Sequence, residues 1–366
     1  MINMINDKNL NPIGRKVVTG KRLNFKDGVT LFNSKDFHGI GYLANIQREK
    51  ISGRNTYFIQ NGHINPTNIC VNDCKFCAFK KKEGEKGAYQ MSIEAILEKA
   101  KEEYYEGLQE FHIVGGLNEK LNLDFYEEMF AALRENFPTV HIQALTAVEI
   151  AFIAQEAKVP LKKALSRLKN AGLGSIPGGG AEIFDEELRK KICPKKITGE
   201  EWLEVMRVAH SVGLKSNATM LYGHLETVEH RVNHLLKLRN LQNKTHGFLT
   251  FIPLAFHPQN TDYSDCSKTP STLDLKMIAI SRLMLDNFPH IKAFWIMTTL
   301  PIAQLAQFYG ADDIDGTILE EKITHSAGGE TPQSASKNLL IRLINESGYL
   351  PVERDTLYNP VKQACS

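Results

Sequence analysis

Three cysteines carry the strongest chemical signal in this chain. Cys70, Cys74 and Cys77 lie in the run Asn65 to Phe79, spaced C-x3-C-x2-C. Three soft thiolates can hold three irons of a cubic iron–sulfur cluster and leave the fourth iron open. An open metal position is where chemistry takes place, whereas a closed one is structural. The competing reading is a zinc knuckle with His63 as fourth ligand. Zinc sites of that kind come as two cysteine pairs separated by a longer loop, and a lone triple does not match them. Phe76 and Phe79 flank the last cysteine and can screen a cluster from water, which tunes its potential. The other cysteines, Cys193, Cys266 and Cys365, are scattered and read as incidental. Clustered thiols without a disulfide framework suit a reducing cytoplasm.

Further along, small and polar residues collect in short loops. Gly115-Gly116 follows an apolar run and allows a tight turn or close backbone approach. Pro177-Gly178-Gly179-Gly180-Ala181-Glu182 is a second such tract, with Glu182 as a carboxylate at its end. Asn217 and Thr219 are two apart and share one face of a strand. His224, Glu226 and Arg231 follow, then His257 and His325, each beside small polar residues. A lone histidine is more often a structural hydrogen-bonding group than a catalyst, but these loops fall on one rim if the elements between them form a barrel. Lys80, Lys81, Lys82 and Lys86 make a short basic run, read as a solvated loop.

The elements that must position these residues follow a beat of apolar run, loop and amphipathic helix. Strands are expected at 57–60, 110–114, 141–144, 174–176, 215–220, 248–252, 292–296 and 312–315. Helices are expected at 92–106, 123–136, 199–212, 228–242, 273–287, 301–309 and 334–347. Such alternation predicts a parallel sheet, and eight units predict an α/β fold of the (β/α)8 TIM-barrel type. The loops after the strands then form the mouth. Residues 1–50 read as an N-terminal helical cap, 51–330 as the barrel and 331–366 as a C-terminal helical extension.

The formal net charge of +2 gives no global field that would call for nucleic acid. No run of about 18 apolar residues predicts membrane insertion, and the polar start has no secretory h-region. A cytoplasmic protein is expected.

The cysteine spacing after a first barrel strand, with an aromatic before the last cysteine, resembles the radical S-adenosylmethionine (SAM) superfamily. Four runs narrow this: N-P-T-N-I-C-V-N-D-C-K-F-C-A-F, S-I-P-G-G-G-A-E-I-F-D, S-N-A-T-M-L-Y-G-H and F-I-P-L-A-F-H-P-Q-N-T. Together they resemble the aminofutalosine synthase family of the menaquinone-pathway branch. The cyclase family of that pathway shares P-G-G-G-A-E but differs at the cysteine loop and at A-F-H-P.

The resemblance implies a [4Fe-4S] cluster on Cys70, Cys74 and Cys77, with SAM on the fourth iron. It implies Gly115 and Gly116 as receivers of the methionyl amine, and Phe76, Glu182, Asn217, Thr219 and His325 as further SAM contacts. His224, His257 and Arg231, with His325, are the expected contacts for the two carboxylates of 3-[(1-carboxyvinyl)oxy]benzoate, to which the 5′-deoxyadenosyl radical adds. An electron donor such as flavodoxin or ferredoxin is implied, docking near the lysine run.

Overall fold

The computed structural model describes residues 4–361. In chain order the strands are β1 (Asn55–Ile59), β2 (Asn61–Ile64), β3 (Glu110–Ile113), β4 (His141–Ala144) and β5 (Ser175–Ile176). They continue with β6 (Lys215–Tyr222), β7 (Phe248–Ala255), β8 (His290–Ile291), β9 (Asp313–Gly316) and β10 (Leu350–Glu353). β2 to β8 pair in sequence order as one parallel sheet, and β1 lies between β10 and β9 in another. β1 continues into β2 through the single residue Gln60. β9 returns to the end of β8, where Lys292 bridges Asp313 and the Ala293 N–H donates to the Asp313 carbonyl at 2.8 Å. β1 and β2 count as one position and β3 to β9 supply seven more, which gives the expected eight-position ring.

Local chemistry accounts for the helices between strands. The helix Leu123–Asn136 starts where the Asn122 side chain accepts the Phe125 N–H, satisfying a donor with no partner inside the helix. It buries Tyr126, Met129, Phe130 and Leu133, spaced three and four apart. Each such burial is worth about 1.5–3 kcal/mol. The helix Ala147–Glu156 opens with a capping box between Thr146 and Glu149. That box fixes the Glu149 carboxylate one turn beyond β4.

The structure revises the expected elements in three places. The first strand does not run straight into the cysteine loop; β2 intervenes. The expected strand at 292–296 is β8 at His290–Ile291, followed by a short helix, Trp295–Thr298. A short apolar run suits a buried helix as well as a strand. Here the Trp295 indole donates to the Gly316 carbonyl at 2.9 Å and holds the turn inward. β10 was not expected; it is a short strand added in parallel to β1. The N-terminal helices Phe25–Asn33 and Phe37–Ser52 pack on Val228–Thr245 and Ser271–Met284, on the outside of the ring. Cys365 lies outside the described residues.

Candidate active site

One cavity of about 340 Å³ occupies the ring. Its roof is the cysteine loop: Cys70, Cys74, Phe76, Cys77 and Phe79 all line it. Gly115, Gly116, Glu182, Asn217, Thr219 and His257 line it too. The sequence therefore identified residues that converge from the ends of five different strands.

The cysteine loop is held from several sides. The Cys70 N–H donates to the Lys81 carbonyl at 3.0 Å and the Val71 N–H to the Leu117 carbonyl at 2.9 Å. Gly116 has to be glycine, because a Cβ there would collide with the Ile69 carbonyl. Lys80 donates to the Cys74 carbonyl at 2.5 Å and Lys82 to the Cys70 carbonyl at 3.1 Å. The lysine run expected to be a solvated loop thus spends two of its ammonium groups inward. Asp73 takes Lys82 and Lys195, each at 2.5 Å.

The donor set fits an iron–sulfur cluster. All five described cysteines are free. Burial pushes the Cys74 thiol up to about 12 and raises Cys77, so neither is an ordinary solvent-facing thiolate. Among the described residues no three histidine, cysteine, aspartate or glutamate side chains converge on a single ion-sized point. A zinc knuckle needs that convergence; three sulfurs on three different irons do not. His63, the fourth ligand of the zinc reading, instead stacks on His112 inside the barrel, ring centroids 4.7 Å apart.

The glycine loops have distinct jobs. The Gly115 N–H donates to Glu149 Oε1 at 3.0 Å, which places a carboxylate under the Gly-Gly turn. Burial raises Glu149 to about 7 despite these donors. Gly178 packs against the Asn217 backbone and its carbonyl accepts the Thr219 hydroxyl at 2.8 Å, while Gly179 and Gly180 face the cavity. Glu182 binds Lys196 Nζ at 2.5 Å, and that ammonium stands 5.1 Å over the Phe76 ring. Burial works against the Lys196 charge, but Cys74 and Glu182 outweigh it and raise its pKa.

Three expected site residues lie elsewhere. Glu226 folds back to accept the Gly223 and His224 N–H groups at 2.6 and 2.9 Å. It then binds Arg231 through Nε and Nη2 at 2.8 and 2.6 Å, with His224 Nδ1 at 3.4 Å. The Arg231 cation is consumed by this buried acid, burial keeps the His224 ring neutral beside it, and neither residue lines the cavity. His325 faces a separate shallow recess with Tyr89 and Lys81. Its Nδ1 meets the Glu321 carbonyl at 2.6 Å and its Nε2 the Thr331 carbonyl at 2.8 Å. His257 does line the cavity, with Nε2–H donating to the Met297 carbonyl at 2.9 Å.

Sequence reasoning missed Glu149, Lys196, His112, Gln143 and Lys292, all of which line the cavity. Lys196 sits in a Lys-Lys pair that reads as surface, and only its partner Lys195 reaches outward to Asp73. The signal for Glu149 was present: Thr146 and Glu149 form a capping-box spacing directly after an expected strand.

Residues 64–238 match the Radical SAM superfamily, and residues 245–365 match the CofH/MqnC C-terminal region. The aminodeoxyfutalosine synthase of Thermus thermophilus is 45% identical over 98% of this chain and 97% of its own length. The chain belongs to the aminodeoxyfutalosine synthase family of radical SAM enzymes. That family implies a [4Fe-4S] cluster and SAM. A differently named relative is close behind. The 5-amino-6-(D-ribitylamino)uracil–L-tyrosine 4-hydroxyphenyl transferase of Methanothermobacter thermautotrophicus is 39% identical over 94% of the chain and 95% of its own length. Among solved structures, methylornithine synthase superposes with a TM-score of 0.74 at 18% identity, covering 93% of this chain and 97% of that one. That likeness establishes the barrel fold.

Proposed function

We propose that this enzyme joins the adenosyl group of SAM to 3-[(1-carboxyvinyl)oxy]benzoate, with rearrangement and decarboxylation, to give 6-amino-6-deoxyfutalosine and methionine for menaquinone synthesis. The observation that carries this reading is the 45% identity to an aminodeoxyfutalosine synthase along nearly the whole of both chains. When bound, the cluster supplies the electron that splits SAM into methionine and the 5′-deoxyadenosyl radical.

The protein's own part is to hold and orient. Cys70, Cys74 and Cys77 are the proposed ligands, leaving one iron for SAM. The backbone of Gly115 and Gly116 receives the methionyl ammonium, with the Glu149 carboxylate beneath as its counter-charge. Glu182, Asn217 and Thr219 are the proposed polar contacts for the nucleoside, and Phe76 covers the cluster. His257 offers Nδ1 at the rim, since Nε2 is occupied by Met297. Phe79, Phe256 and Phe294 line the same cavity and keep water from a radical. Fixing the vinyl carbon near the 5′ carbon is a positioning task that a rigid barrel suits. No side chain is required to act as a general base.

We read residues 1–50 as an N-terminal cap, 51–330 as the catalytic barrel and 331–366 as a C-terminal helical extension. The enzyme acts in the cytoplasm, contacts neither membrane nor nucleic acid, and takes its electron from a flavodoxin or ferredoxin near residues 80–86.

The test is product analysis. Reduced, cluster-loaded enzyme is incubated with SAM and the enol-ether benzoate, and the nucleoside products are identified by mass spectrometry. Adenosine incorporated into 6-amino-6-deoxyfutalosine is expected. Free 5′-deoxyadenosine without that adduct would point to a hydrogen-abstracting enzyme such as the cyclase and overturn the assignment.

A further inference from the structure

Parallel register makes a polar layer across the barrel below the cysteine loop. His63 lies beside His112, and His112 beside Gln143. Asn217 joins the layer through a 3.4 Å hydrogen bond to Gln143. The two imidazoles are stacked at 4.7 Å with 28° between their planes. Both rings line the cavity. Among the described residues the His63 ring has no hydrogen-bond partner, whereas His112 has the Gln143 side chain as a partner and Glu110 at 3.9 Å from its Nδ1. The opposite side of the same cavity is apolar, with Ile252, Leu254 and Phe294. Beneath, Lys292 binds Asp315 at 2.5 Å, and both side chains are nearly fully buried.

Both imidazoles are half-buried and face the cavity, so the unpartnered His63 ring keeps its hydrogen-bonding capacity for a ligand. A polar layer with the free His63 imidazole on one side and hydrocarbon on the other suits a flat ring bearing one carboxylate. We propose that His63, positioned by its stacking on His112, binds the ring carboxylate of an aromatic acid substrate, with the arene against Ile252, Leu254 and Phe294. This orientation points the other end of the substrate up toward the cysteine loop. It replaces Arg231, His224 and His325, whose side chains are committed elsewhere. The inference builds on the substrate class given above.

The test is an anaerobic binding titration of the cluster-loaded protein with the enol-ether benzoate, 3-hydroxybenzoate and 3-hydroxybenzamide. His63→Asn, His63→Gln, His112→Asn and His112→Gln are compared with wild type. The affinity for both acids is expected to fall roughly tenfold to a hundredfold, the size of one hydrogen bond to a charged group. Affinity for the uncharged amide and for SAM should stay within about twofold, as should the cluster absorbance, which establishes that each variant is folded. A variant that loses its cluster is set aside and its Asn or Gln counterpart decides. Acid affinity unchanged in the folded variants of His63, or acid and amide affinity lost equally, overturns the subsite. The two readings fail separately. Wild type that binds both acids yet forms no 6-amino-6-deoxyfutalosine sinks the reaction and keeps the subsite. Product formation with an unchanged KM in the histidine variants does the reverse.

Discussion

The two ends of the barrel treat buried charge in opposite ways. At the lower end Asp312, Arg48 and Arg354 are bonded to other groups of the protein. Asp312 accepts Arg282 at 2.5 Å, His290 at 2.8 Å and the Ile291 N–H at 2.9 Å, with Ser52 on its second oxygen. Arg48 spreads its guanidinium over the Gly53, Asn55 and Ala311 carbonyls and the Thr56 hydroxyl. Arg354 binds Asp313 at 2.7 Å. At the upper end, polar groups keep spare capacity: the His63 and His112 rings, the Glu149 carboxylate and three thiols face one cavity. Satisfied networks fix a structure, whereas unspent donors and acceptors receive ligands. The lesson is that burial alone does not mark a site; burial with spare bonding capacity does.

Substitutions at the two ends should separate stability from activity. The largest effect is expected at the roof. Cys70→Ala, Cys74→Ala or Cys77→Ala should abolish product formation and the brown cluster absorbance while far-UV circular dichroism stays native; full activity in any of them would remove the cluster assignment. At the lower end, Asp312→Ala leaves the Arg282 charge buried and unpaired. It should cost about 3–5 kcal/mol in denaturant unfolding. Burial opposes the Asp312 charge, but Arg282 and His290 outweigh it and hold its pKa below the usual carboxylate value. Its contribution is therefore present above about pH 3.9 and lost as pH falls toward the folded value. Wild-type stability should drop on acidification there, and the Asp312→Ala variant should drop less.

Glu149→Gln is expected to weaken SAM binding about tenfold, or 1.4 kcal/mol, with little change in melting temperature. Because burial raises Glu149 to about 7, its charged fraction grows through neutral pH. SAM affinity should rise from pH 6 to pH 8 in the wild type and stay level in the variant; parallel profiles would exclude the carboxylate from the cradle. The smallest effect is local. His325, bonded first of all to Glu321, is raised to about 9. A raised histidine contributes fully below its unfolded value near 6.5, and the contribution fades as pH climbs through 9. Amide protection across residues 321–331, corrected for intrinsic exchange, should fall over that interval and be already reduced in His325→Ala at pH 7.

Legibility followed the range of the interactions. The cysteine loop, the Gly-Gly turn and the Pro-Gly-Gly-Gly tract are local patterns whose chemistry is contained in a few residues. The helix Leu123–Asn136 and the strand His141–Ala144 were visible from the alternation of apolar runs and amphipathic segments. What escaped notice depends on partners far away in sequence. Lys292 finds Asp315 across a strand pair, and His63 finds His112 only once β2 and β3 are in register. Arg231 and His224 were expected at the mouth because their loop is there, yet Glu226, a few residues away, captures both. A charged side chain near a site reads as functional until its neighbour's geometry is known.

The strand β10 has a consequence for how the enzyme is made. It pairs with β1 through four residues, and the flanking Arg354 N–H reaches the Phe58 carbonyl at 3.0 Å. Translation at about 5–20 residues per second delivers β1 and the cysteine loop long before Leu350–Glu353. Through that interval β1 is an open edge able to pair with another chain. The three thiols are then already outside the ribosome, reactive and without their finished enclosure. Cluster delivery and protection from aggregation therefore compete for the same nascent chain, and overproduction without matching iron–sulfur supply should send more of it into inclusion bodies.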